Sequence, residues 1–78
     1  MESSIITKDF NEASLLIANR LPLRNVTRSG RVCFFEFSDR EKAERILQDY
    51  VRGDLSINAR LFIDAQRRVK DTIFNPGL

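Results

Sequence analysis

Residues 23–38 read LRNVTRSGRVCFFEFS, and the order of apolar and polar side chains along them decides the fold class. The alternation has period two on both sides of Ser29-Gly30, the pattern of two strands joined by a tight turn. With Ser29-Gly30 as a two-residue loop, Arg28 stands opposite Arg31, Thr27 opposite Val32 and Val26 opposite Cys33. One face of the ribbon then carries Val26, Cys33, Phe35 and Phe37, and the other carries Thr27, Val32, Phe34 and Glu36. A two-stranded sheet is not stable alone in water, so helices must cover one face. The Phe35–Phe37 face is the one expected to be covered.

Helical signals lie on both sides of the ribbon. Thr7 or Asp9 can cap a helix running to about Arg20, with Phe10, Ala13, Ser14, Ile17 and Leu21 on one side and Pro22 as its stop. Leu15 departs from that pattern and falls among the polar side chains. After the ribbon, Ser38-Asp-Arg-Glu41 has the form of a capping box. It opens a helix whose apolar stripe is Ala43, Ile46, Leu47, Tyr50 and Val51, closed by Gly53. Asn58 caps a last helix from Ala59 to about Phe74, with Phe62, Ala65, Val69 and Ile73 as its core stripe. Residues 1–6 are expected to be an extended arm and residues 75–78 a tail. The expectation is a single α+β domain of order α-β-β-α-α, three helices on one face of a two-stranded antiparallel ribbon.

Composition excludes several classes of function. The chain has 78 residues, too few to enclose a large substrate cavity beside its only core. It contains no His and one Cys, so an internal zinc site and an internal disulfide are both excluded. A lone thiol, no signal-peptide pattern and no long apolar run together suggest a cytoplasmic protein with no membrane partner. Catalysis has little to stand on. Cys33 sits mid-strand with no His to activate it, and most carboxylates lie at helical spacing from Arg or Lys. Glu36 has apolar neighbours, but alternation turns it away from Phe35 and Phe37. No phosphate-cradling glycine loop is present. The expectation is a non-enzymatic binding domain with no cofactor, no metal and no small-molecule substrate.

Two kinds of partner fit the remaining features. Ten of the thirteen cations are Arg, and no acidic residue falls between Glu12 and Glu36, whereas Arg20, Arg24, Arg28 and Arg31 do. Arg24, Arg28 and Arg31 on the ribbon make a basic tip able to meet phosphates, unless they serve only to keep an edge strand from pairing. Arg60, Arg67 and Lys70 share a side of the last helix with Ile63 and Phe74 and offer a second contact. There, pairing of Arg60/Asp64, Asp64/Arg68 and Arg67/Asp71 would dilute the field. The leading reading is thus a nucleic-acid-associated accessory protein touching DNA or RNA. The alternative is a protein-interaction module or homo-oligomer using Leu15, Val32 and Phe34, apolar residues with no evident cover. Folding of the N-terminal arm, Ile5-Ile6, over them would remove that surface.

The segment from Asn58 to Phe74 resembles the closing helix of an uncharacterised family of short prokaryotic and phage domains of unknown function. Phe35-Glu36-Phe37-Ser38-Asp39 and the first helix ending in Leu21-Pro22-Leu23 are similar to that family too. Arg20 stands where the family would place a helix-ending Gly. The resemblance implies no activity and transfers no functional residue.

Overall fold

The computed structural model describes residues 3–74. Six elements follow in chain order: β1 (Ser4–Thr7), α1 (Phe10–Ala18), β2 (Leu23–Ser29), β3 (Val32–Ser38), α2 (Arg40–Arg52) and α3 (Ala59–Phe74). The order is therefore β-α-β-β-α-α, and the sheet has three strands arranged β1-β3-β2, all neighbours antiparallel. The arm expected over residues 1–6 is, from Ser4 on, an edge strand continuing to Thr7. It pairs Ser4 with Ser38, Ile5 with Phe37, Ile6 with Glu36 and Thr7 with Phe35. A two-stranded ribbon has two open edges, and β1 pairs along the one that belongs to β3. Met1, Glu2 and the expected tail at 75–78 lie outside the described residues.

The hairpin forms one residue further along than the turn pattern suggests. Ser29 pairs with Val32, Arg28 with Cys33, Thr27 with Phe34 and Val26 with Phe35, which makes Gly30-Arg31 the loop. Gly30 has φ +61°, a left-handed conformation that glycine adopts without steric cost. Sliding the loop by one residue changes partners by two positions, so each side chain keeps its face. Cys33, Phe35 and Phe37 are buried on the helix side as expected, and Glu36 points the other way. The extra residue at Arg24, between the Leu23–Phe37 and Asn25–Glu36 pairs, is a bulge.

All three helices take the Phe35–Phe37 side. Ala13, Leu16 and Leu21 from the first helical segment, Ala43 and Ile46 from α2, and Val69 from α3 share one core cluster with the three strand residues. α1 packs against both α2 and α3 and is the innermost helix. Four consecutive residues, Ala13 to Leu16, are buried on it. Its hidden hydroxyl, Ser14, donates to the Phe10 carbonyl at 2.8 Å, so no polar group is stranded there. α3 has the stripe its sequence dictates, with Ala65 and Val69 buried and Phe62 and Ile73 half-buried. α2 does not: Tyr50 and Val51 continue the stripe past the edge of the sheet into solvent.

The caps explain where the helices begin and end. Asp9 accepts from the Glu12 amide at 2.8 Å, while Thr7 Oγ1 accepts from the Asp9 amide and donates to Glu12 Oε1 at 2.7 Å. Both candidate caps therefore act at the start of α1. At α2 the cap is Asp39 rather than Ser38. Its carboxylate accepts from the Lys42 amide from a left-handed backbone, φ +63°. Asn58 Oδ1 accepts from the amides of Arg60 and Leu61. α1 ends at Ala18, two residues before the expected Arg20. There the Arg20 amide donates to the Ile17 carbonyl and the Leu21 amide to the Leu16 carbonyl, a Schellman closure that holds Arg20 at φ +64°. Leu21 and Leu16, which bracket the closure, are both in the core.

Arg20 thus occupies the left-handed position that favours glycine, and a Cβ there costs about 1 kcal/mol or more. Glycine loses more chain entropy on folding, which offsets part of the gain. Arg20→Gly is expected to stabilise the domain by about 0.5–1 kcal/mol, read as a higher urea midpoint at unchanged slope. An unchanged or lower midpoint would show that the arginine side chain contributes as much as its backbone costs.

Candidate binding surfaces

The hairpin cations do not form a row. Arg28 pairs with Cys33, so its side chain leaves the sheet on the helix side, and its Nη2 donates to the Ile73 carbonyl in the last turn of α3. A guanidinium against the final carbonyls of a helix is the favourable placement for a cation in the helix dipole. Arg28 is occupied in tying the hairpin to α3. Arg24 sits at the bulge and Arg31 in the loop, where Arg31 lines an open depression with Lys8, Asp9, Val32 and Ile73. The fold therefore brings Lys8, distant in sequence, to the same depression as Arg31. Asp9 on the same rim offsets part of their charge.

The second basic group is laid out differently. Arg60, Ile63, Arg67, Lys70 and Phe74 recur at spacings of three and four residues and are all exposed. They form one solvent-facing stripe along α3 about 20 Å long. The ion pairs expected to dilute it, Arg60/Asp64, Asp64/Arg68 and Arg67/Asp71, do not close. Among the described residues the salt bridges are Arg40–Glu44 and Arg45–Glu41, both at 3.6 Å on the surface of α2. Such exposed pairs contribute little to stability.

The candidate apolar surface loses one member and gains another. Leu15 is 3% exposed, so it belongs to the interior and cannot meet a partner. α1 is largely covered by its neighbours, and of its residues only Asn11 is exposed. Val32 (40% exposed) and the half-buried Phe34 lie on the face of the sheet opposite the helices. The segment Ser4–Thr7 does not fold over them. It joins the sheet edge-on and adds Ile6, 60% exposed, to the same face beside Glu36. Thr27, opposite Phe34, completes the patch, and Ser4 Oγ donates to Glu36 Oε2 at 2.8 Å at its border. Ile6 escapes a reading of the sequence because SIIT is too short to show a period.

Among the described residues no three His, Cys, Asp or Glu side chains are grouped as metal ligands, and no helix is long and apolar enough to cross a membrane. Cys33 is a free, buried thiol. A family model described as a domain of unknown function (DUF5659) matches residues 2–75. The chain belongs to that family. The match extends over both similar segments, the closing helix and the strand around Phe35, as well as the first helix. The DUF5659 description carries no activity, and no curated protein and no solved structure matches the chain.

Proposed function

We propose that the chain is a non-catalytic binding domain whose partner is a protein, held on the helix-free face of the sheet. One observation carries this reading: Ile6, Val32 and Phe34 share that face, with no helix over them among the described residues, and a third strand enlarges it instead of shielding it. An aromatic flanked by aliphatic and hydroxyl side chains, with a single hydrogen-bonded carboxylate at the border, has the mixed character of a protein interface. Phosphates find little there, since the nearest charged side chain placed on the face is Glu36. The nucleic-acid reading keeps one support, the basic stripe of α3 with Ile63 and Phe74, which has no salt bridge among the described residues.

Site-directed photocrosslinking in cells expressing the full chain separates the two. With benzoylphenylalanine in place of Phe34, a discrete protein adduct is expected, absent when the same group replaces Lys42. Phe34→Asp in the untagged chain should compete for that adduct at least tenfold less well, as loss of a central aromatic anchor implies. Nucleic-acid adducts from position 67, with none of any kind from position 34, would replace this reading with the other.

A further inference from the structure

The free edge of β1 and the side of α2 that overhangs it form one groove, lined by Ile5, Glu44, Leu47, Gln48, Val51 and Arg52. β1 is paired on one side only, so its outward N–H and C=O groups are available to another strand. The groove above it is apolar at its centre, through Ile5, Leu47 and Val51, and Val51 is 81% exposed. β1 is short, and over Ser4–Thr7 it carries no proline, no bulge and no charged side chain to protect the edge.

The charges on the rim indicate what fits. Glu44, Gln48 and Arg52 follow one another at four-residue spacing, acid, amide, base. Placed antiparallel against a copy of itself about a two-fold axis through Gln48, α2 sets Glu44 opposite the copy's Arg52 on both sides of the axis. Gln48 then meets its own counterpart, and amides hydrogen-bond to amides. The sheet obeys the same symmetry. Antiparallel pairing of β1 with its copy about Ile5 keeps the helix layers on one side and sets Ser4 opposite Ile6, because residues of the same parity share a face. Ile5 and Gln48 line the same groove, as a single axis crossing both layers requires. Arg52 has no ion pair among the described residues, whereas Glu44 holds Arg40 only at 3.6 Å on an exposed helix face, a contact easily shared.

We infer that the protein forms a two-fold symmetric dimer through β1 and α2, in which two three-stranded sheets become one of six strands. The contact is isologous and closed, which a symmetric dimer requires and which prevents indefinite edge-to-edge growth. It leaves the Val32–Phe34 face and the α3 stripe outside the interface, so each dimer presents two copies of either surface.

The test is a pair of charge reversals measured by light scattering on the folded full chain. Wild type is expected to reach twice the 9.0 kDa of one chain as concentration rises into the hundreds of micromolar. Glu44→Arg alone and Arg52→Glu alone each set like charges opposite each other twice, and each is expected to weaken the dimer about tenfold or more. Mixing the two variants restores both opposite-charge contacts, so the mixture returns to the dimer mass as a heterodimer. A merely unstable variant would not be rescued this way, and circular dichroism of each variant confirms its fold. Phe34→Asp, which tests the sheet face, leaves this dimer intact. Wild type that stays at the mass of one chain, or single variants that dimerise like wild type, or a mixture without recovery, would each overturn the inference.

Discussion

Phe37→Ala is expected to remove about 3–5 kcal/mol of folding stability, the largest loss from any single truncation in the sheet. Phe37 is fully buried near the end of β3, on the middle strand of the sheet, with Ile5 opposite it on one side and Leu23 on the other. It is the point where all three strands meet the helix layer, so the cavity left by truncation has no loose element to collapse into it. A domain of this size has a total stability of roughly 4–12 kcal/mol. The variant should therefore be partly or wholly unfolded at 25 °C by far-ultraviolet circular dichroism, with a urea midpoint near zero. Val32→Ala on the same strand, facing solvent, should lose under about 0.5 kcal/mol. Comparable losses at positions 37 and 32 would mean that the two faces of β3 are not buried as described.

That contrast rests on the part of the fold most legible in the sequence. Alternation along residues 32–37 assigns each side chain to a face, and all of those assignments hold. It cannot choose between registers two residues apart, because both put the same side chains on the same faces. The turn makes that choice. Gly30 tolerates the left-handed conformation as the first loop residue or the second, and the observed loop uses it first, drawing in Arg31. α3 was readable from cap to core stripe because Asn58 and the spacing of Phe62, Ala65, Val69 and Ile73 are local signals. β1 was not, since SIIT becomes a strand only by pairing with residues about thirty positions away, from Ser4–Ser38 to Thr7–Phe35.

The same distinction between local and distant causes runs through the candidate surfaces. A basic hairpin tip is visible in the sequence, but the bond from Arg28 to the Ile73 carbonyl depends on where α3 ends in space. Cations counted along the chain overstate what the tip can offer a phosphate. Along α3 the reverse holds: ion pairs permitted by spacing do not form, and the stripe from Arg60 to Phe74 is less neutralised than spacing implies. Val51 and Tyr50 extend a stripe that looks like core, yet the sheet beneath α2 is too narrow to cover them. Of these two, Val51 lines the β1–α2 groove.

Leu15 supplies the second large effect and the sharpest separation between the two ways of reading it. On a two-sided helical wheel it lies with Glu12 and Asn19, as a surface residue available to a partner would. That wheel presumes a helix with one side in water. Between Glu12 and Arg20 the chain has no charged residue, and a helical segment with so little polar surface packs as an interior one. The packing agrees, with α2 and α3 both against α1 and Leu15 buried beside the fully buried Leu16. Leu15→Ala is accordingly expected to cost about 2–4 kcal/mol, and Leu15→Asp, which buries an unpaired carboxylate, to leave the chain unfolded at neutral pH. Phe34→Asp, by contrast, exchanges a half-buried ring on an open face and should leave the fold in place. Urea melts of the three variants decide the matter: a folded Leu15→Asp with an unchanged midpoint would put Leu15 back on the surface and open α1 as a binding face.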